Sequence, residues 1–300
     1  TGHNDGSCWN LPVRLDCRLF SGNIPLSIGV WIMTENSFPM PDFSVADPSA
    51  TSGIVMQSVC KTFQNKKILD ELDFVINRGE TVVIVGRSGE GKSVLLKHIV
   101  KLLTPDSGKV WIDGQEMTAM GHGDLYELRK RFGMLFQGAA LFDSMTICEN
   151  VGLGLLEHFN MTDAEINDRA CECLAMVGLS GVENKLPSEL SGGMKKRAGL
   201  ARAIAMKPEY ILYDEPTTGL DPITADAIND LILKLKDELN VTSIVVTHDM
   251  ESAFKIGDRI AMLSGGKIIH SEKISTIRET SHPAVRQFIN GSASGPLSVF

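Results

Sequence analysis

The stretch Thr81–Ser93, TVVIVGRSGEGKS, constrains this chain more than any other. Its first five residues, Thr81 to Val85, are apolar or β-branched and predict a buried strand. They run into a glycine loop and then into a helix that opens at Lys92 and carries the apolar run SVLLKHIVKLL, expected to end near Leu103. Gly86, Arg87, Ser88, Gly89, Glu90, Gly91, Lys92 and Ser93 fit the pattern G-x-x-x-x-G-K-[ST]. Gly86, Gly89 and Gly91 carry no Cβ, so the backbone can turn sharply and aim its N–H groups inward. The helix presents the positive end of its dipole to the same point, which suits phosphate oxygens. Lys92 could then reach the β- and γ-phosphates of a nucleotide, and the Ser93 hydroxyl could ligate Mg²⁺. Val94 completes the candidate nucleotide-binding set. A glycine turn with an incidental Lys-Ser is the plain alternative, and the strand before and helix after it speak against that reading.

The remaining sequence narrows what kind of nucleotide-using chain this is. Its 300 residues, 43% hydrophobic and 22% charged, suit one large domain or two small ones. A net charge of −8 argues against nucleic acid as the main partner. No stretch approaches the roughly 18–20 apolar residues a membrane-spanning helix needs. Six cysteines form no C-x-x-C pair, which speaks against zinc and suits a reducing compartment.

Residues 1–53 are rich in Ser, Asn, Pro, Asp and Gly, show no sustained periodicity and are expected to be a poorly structured extension. Met33 is a candidate natural start, which would leave residues 1–32 outside the functional domain. A transit peptide is the rival reading, and Asp5 and Asp16 speak against it. From Ile54 onward, alternation predicts two strands joined by a turn at Gln64–Lys67, with Phe63 ahead of the second, where an aromatic could stack on a base or simply close the turn. A strand KVWIDG, a short helix over Asp124–Lys130 and a strand Phe132–Phe136 closed by Gln137 follow. The charge run Glu127–Arg131 reads as a solvated helix face. Thr162 with Glu165 forms a capping box for a helix ending at Gly178. After Leu186-Pro187 comes LSGGMKKR, opening a helix to Met206 whose Lys195, Lys196 and Arg197 read as the wet side.

Three further features carry chemistry. YILYDEP is a buried strand ending in Asp214, the expected Mg²⁺-holding carboxylate, and Glu215, which could orient and deprotonate an attacking water. Adjacent strand residues point to opposite faces, so both serve one site only if the chain turns there, and Pro216 makes such a turn plausible. VTSIVVTHD delivers His248 to a strand end, where it could contact a γ-phosphate or be a plain surface histidine. Gln137 could link Mg²⁺ to a moving segment or be a polar strand end. Buried strands alternating with helices predict an α/β fold, a mostly parallel sheet with helices on both faces. Ligands of such sheets bind beyond the carboxyl ends of the strands, so these groups can meet. Ser191, Gly192 and Gly193 form a second phosphate-binding helix N-terminus, which makes sense if it completes the P-loop of another copy.

With these motifs in order, the stretch from about Ile54 to His270 resembles the ATP-binding subunit of ABC transporters: the P-loop, Gln137, LSGGM, YILYDEP, TGLDP and VTHD. The resemblance implies a P-loop NTPase of ABC type. Its cassette spans residues 54–280, with an N-terminal antiparallel β part, a helical subdomain over about 138–206 and a tail from 281 to 300. By the same resemblance Phe63 stacks on the base, Asp221 contacts the partner subunit and His248 is the switch histidine. ATP and Mg²⁺ are the expected cofactors.

A narrower likeness lies in Leu128–Val151, Leu186–Ala205 and Val285–Pro296, which look like ATPase subunits of Mla-type transporters. These move lipids between bacterial membranes, with relatives linked to organic-solvent resistance and steroid uptake. That likeness implies a homodimer on the cytoplasmic face of the inner membrane, held by an integral permease and served by lipid-binding accessory proteins. Met194 stands where most ABC ATPases carry glutamine, and Val94 where a second threonine is common; neither removes a catalytic group. A small-solute importer, for an amino acid for example, shares the general motifs. A non-transport ABC ATPase would be expected to carry two cassettes or a coiled-coil insertion, and a silent nucleotide-binding module would lack Lys92, Asp214, Glu215 or His248.

Overall fold

The structure, a computed structural model, describes Phe43 and residues 47–297. The expectations for residues 1–42, including the start at Met33, lie outside the described residues. Order extends further back than Ile54. Phe43 packs edge-on against Phe74 with centroids 5.7 Å apart, and Asp47 caps a 3₁₀ turn at Pro48–Ala50. An apolar ring and a capped turn gave no periodic signal in the sequence.

Two sheets face each other. The first is antiparallel, in the order β2 (Lys66–Asn77), β1 (Gly53–Phe63), β4 (Ser107–Ile112), β5 (Gln115–Glu116). The second has six strands: β10 (Lys267–Lys273), β9 (Arg259–Ser264), β3 (Thr81–Val85), β8 (Thr242–Thr247), β7 (Tyr210–Asp214) and β6 (Phe132–Leu135). Its pairings are parallel apart from the β9–β10 hairpin. The expected mostly parallel α/β architecture with an antiparallel part is therefore present.

Strand β3 shows how the layers form. All five of its residues are buried, and they alternate between two cores. Val82 and Ile84 face the core shared with the antiparallel sheet and with Leu95, Leu96 and Ile99 of α1 (Lys92–Ile99). Val83 and Val85 face the core built by the remaining helices. Helices thus lie on both faces, as expected, with α1 on the Val82/Ile84 side. On that side the parallel sheet also shares its core with the antiparallel sheet, whose β1–β2 strands supply Ile54, Met56, Leu72 and Phe74.

The register positions the site. Val85 pairs with Thr247, and Asp214 pairs with Val246. The carboxyl ends of β3, β7 and β8 therefore lie side by side. Helix α1 stops at Ile99 rather than near Leu103. Lys101 adopts φ +51°, and the N–H groups of Lys101 and Leu102 return to the carbonyls of His98 and Lys97 at 3.1 and 2.8 Å. That is a Schellman closure with lysine in the position glycine usually takes.

The charge run at residues 127–131 is not simply a solvated face. In α2 (His122–Arg129), Leu128 is buried and Arg129 donates to the carbonyls of Val100 and Lys101. Arg131 joins Arg78 on Asp113 and Glu209. Asp113 also accepts from the Gly53 N–H at 2.8 Å and from the Tyr210 hydroxyl at 2.9 Å. Burial pushes the Asp113 carboxyl up, but the bonds from Arg78, Gly53, Tyr210 and Arg131 outweigh it and hold the group well below its ordinary value of 3.8. A carboxyl depressed in the folded state stabilises above its unfolded pKa, and the contribution is lost as pH falls below about 4. Asp113→Asn is expected to cost about 2 kcal/mol at neutral pH. Urea unfolding should show a lower midpoint whose deficit shrinks in acid; an equal midpoint at pH 7 would contradict this.

Helices α3 (Ile147–His158) and α4 (Asp163–Met176) both open with capping boxes, Thr146/Glu149 and Thr162/Glu165. They pack with α5 (Gly192–Ile204) around Val151, Leu155, Ala170, Leu174 and Leu200. Helix α6 (Pro222–Leu239) begins at Asp221-Pro222, a capping carboxylate followed by a proline suited to the first turn, and is followed by α7 (Met250–Ile256) after β8. After β10 come the short helices α8 (Ile274–Ile277) and α9 (Pro283–Ile289). Gln287, buried in α9, accepts from the Leu297 N–H at 2.8 Å and donates to the Ser292 and Leu297 carbonyls.

Candidate functional site

The P-loop is shaped by close approach. A Cβ on Gly86 would lie 2.5 Å from the Leu263 carbonyl oxygen. One on Gly91, which caps α1 at φ +99°, would lie 2.7 Å from Cγ2 of Ile68. Between these pinned points the loop wraps around Lys92, only 7% exposed, whose Nζ donates to the carbonyls of Gly86 at 2.8 Å and Arg87 at 3.1 Å. Burial pulls the Lys92 ammonium down, while the carboxylates of Glu215 and Asp214 oppose that shift. Glu90 accepts from the Gly265 N–H, tying the loop to the β9–β10 turn.

Ser93 Oγ donates to Asp214 Oδ1 at 2.7 Å, across 121 residues of sequence. A hydroxyl and a carboxylate at this distance, at the mouth of a glycine cradle, form an oxygen donor set that fits a hard divalent cation such as Mg²⁺. Asp214 and Glu215 are 6% and 8% exposed. The turn required to bring both to one site is made by Glu215 itself, at φ +50°, an uncommon region for a residue with a side chain. Its N–H returns to the Val246 carbonyl at 2.9 Å. Its Oε2 accepts from Thr218 Oγ1 and is hydrogen-bonded to His248 Nδ1, both at 2.9 Å, and Oε1 lies 3.8 Å from Lys92 Nζ. Lys92, Ser93, Asp214, Glu215 and His248 therefore form one constellation.

Other expected site residues lie around it. Gln137 is exposed just beyond β6, and its carbonyl accepts from Lys196. Ser191 caps α5, with Oγ accepting from the Met194 N–H at 3.3 Å. Ser191 and Gly192 are exposed, whereas Gly193 is buried where a Cβ would lie 2.6 Å from the Thr224 methyl. The signature stretch thus seats on the start of α6, beside exposed Asp221, which caps that helix through Ile223 and Thr224. Phe63 is the last residue of β1 rather than a loop residue, and is 41% exposed with Lys61 Nζ 5.5 Å from its ring centroid. The same hairpin supplies the Ile68 that touches Gly91.

Sequence reasoning missed two partners of Glu215. Thr218 lay within TGLDP but had no assigned task. Lys196, expected on the wet side of α5, is 5% exposed and donates to the Glu215 carbonyl at 3.0 Å and to the Gln137 carbonyl. The signal was present in the spacing: Gly193, Lys196, Leu200 and Ile204 recur at helical intervals and are all buried.

The convergence of strand ends on one phosphate-binding loop defines a P-loop NTPase. Residues 69–218, half of the chain, match the ABC transporter family. The chain is 39% identical over 251 residues to the intermembrane phospholipid transport system ATP-binding protein MlaF of Escherichia coli K12, covering 84% of this chain and 93% of that protein. It is 39% identical over 246 residues to the probable ribonucleotide transport ATP-binding protein mkl of Mycobacterium bovis, covering 82% of this chain and 68% of that one. Among solved structures it resembles a dimeric post-hydrolysis state of the ATP-binding cassette MJ0796 bound to ADP and Pi, with a TM-score of 0.69 and 36% identity, covering 74% of this chain and 98% of that one. The chain belongs to the ABC transporter family and is its ATP-binding, ATP-hydrolysing cassette.

Proposed function

We propose that this chain is the ATPase subunit of a transporter moving phospholipids or related hydrophobic molecules between membranes. The observation that carries the lipid reading is the match to MlaF over 93% of that protein's length. The match to mkl is equally identical but spans 68% of mkl. Among the described residues no helix is long and apolar enough to cross a membrane. The chain would act through a permease, peripheral to the cytoplasmic face of the inner membrane, with lipid-binding accessory proteins.

Two copies would sandwich two ATP molecules, each between one copy's P-loop and the other's Ser191–Gly193. The exposed N-terminus of α5 in a chain that already holds a complete P-loop supports this arrangement. Phe63 would stack on the base, and Gly86 to Val94 would cradle the phosphates. Lys92 would exchange the Gly86 and Arg87 carbonyls for phosphate oxygens. Glu215 would orient a water and take its proton as the water attacks the γ-phosphorus and the bond to the β-phosphate oxygen breaks. His248, held by Glu215, would contact the γ-phosphate through its other nitrogen. Mg²⁺ held by Ser93, Asp214 and Gln137 would neutralise charge on the phosphates. Asp221 would face the partner copy.

Affinity purification from native membranes, with mass spectrometry of proteins and lipids, tests the lipid reading. A permease with a lipid-shuttling protein and phospholipid is the expected result. A small-solute permease without lipid would discard the lipid assignment and keep the ATPase.

A further inference from the structure

We infer that Lys196 is a positioning residue that holds the peptide after Glu215 and ties it to the Gln137 turn. The inference deepens the proposed hydrolysis, because it rests on Glu215 acting as the general base.

Three observations carry it. First, Lys196 is buried and its bonds go to backbone carbonyls in two separate segments, Gln137 and Glu215, 59 and 19 residues away in sequence. A buried ammonium is costly, and a neutral side chain would fill the same space more cheaply. Burial indeed pulls its pKa down, with Asp214 and Glu215 acting the other way.

Second, the carbonyl it holds belongs to a residue in a strained conformation. Glu215 sits at φ +50°, and that backbone angle aims its carboxylate at His248, Thr218 and Lys92. Its N–H is fixed by Val246, and its carbonyl is fixed by Lys196. Strain of this kind persists only where the surroundings over-determine it.

Third, the same helix grips the other side of the turn. Arg202, on α5, donates to the carbonyls of Ala139 and Ala140 at 2.7 Å each, and both alanines have positive φ, +61° and +48°. Lys196 and Arg202 together clamp residues 137–140 to α5, and Lys196 alone of the two extends the clamp to Glu215. A displacement of the Gln137 turn therefore reaches the catalytic carboxylate through one ammonium group.

The test is steady-state and single-turnover ATP hydrolysis by the full chain, with nucleotide affinity measured by a fluorescent ATP analogue. Lys196→Met is expected to lower kcat about tenfold while KM and analogue affinity stay within twofold. Lys196→Gln, which keeps donors for the carbonyls, should recover most of that loss. In a Glu215→Gln background, Lys196→Met should slow the residual reaction no further, since the group it positions is already gone. An unchanged kcat in folded Lys196→Met, no recovery in Lys196→Gln, or losses that multiply in the double variant would each overturn the inference. If Lys196→Met does not fold, Lys196→Gln decides: its smaller loss must vanish in the Glu215→Gln background. Wild-type turnover in Glu215→Gln alone would instead overturn the general-base reading, whatever the Lys196 variants do.

Discussion

Glu215→Gln is expected to lower ATP turnover by roughly 10²–10³ while leaving ATP binding intact. The amide keeps the size of the side chain and can still bond Thr218 Oγ1 or His248, so the left-handed backbone at residue 215 and the 2.9 Å contacts around it need not rearrange. What it loses is the capacity to accept a proton. The 3.8 Å approach to Lys92 also loses its charge attraction. With hydrolysis stopped and binding retained, ATP should hold the protein as a dimer, measurable by light scattering after gel filtration. A variant that turns over normally would remove Glu215 from the chemistry. A variant that binds no ATP would mean its main role is structural.

Lys92→Ala should have the opposite signature, losing both binding and turnover, the latter by at least about 10². The Nζ of Lys92 lies inside the loop, bonded to the carbonyls of Gly86 and Arg87. Alanine leaves the strand, the helix and the glycine cradle in place, so the fold should persist. ATP at a hundred times its dissociation constant should stabilise the wild-type protein and Glu215→Gln by about 2.7 kcal/mol. Thermal unfolding with and without ATP reads this directly, and Lys92→Ala should show no shift. ATP-dependent stabilisation of Lys92→Ala equal to wild type would contradict the assigned role.

Much of the site was legible before the fold. The P-loop, the YILYDEP strand end and VTHD each announce themselves through local rules: an apolar strand, a chemistry-bearing exit and a helix start. The same holds for the capped helices at Thr162 and Asp221, whose caps are formed within three residues. Where reading failed, charge misled it. Arg131 and Lys196 lie in basic runs that look solvated, yet Arg131 belongs to the cluster on Asp113 and Glu209, and Lys196 is buried against two carbonyls. Leu102 and Leu103 extended an apolar pattern beyond the true helix end, because periodicity does not register a left-handed lysine.

The sequence by itself determined the P-loop, the mostly parallel α/β order and which side chains are the candidates for the chemistry, because each depends on residues adjacent in the chain or repeating at a helical or strand period. Only the tertiary structure decided that Asp214 meets Ser93, that Glu215 turns at φ +50° to face His248, and that Lys196 bridges Glu215 to the Gln137 turn. Those contacts join segments 19 to 121 residues apart. Their partners are set by strand register and helix packing, which no local pattern encodes.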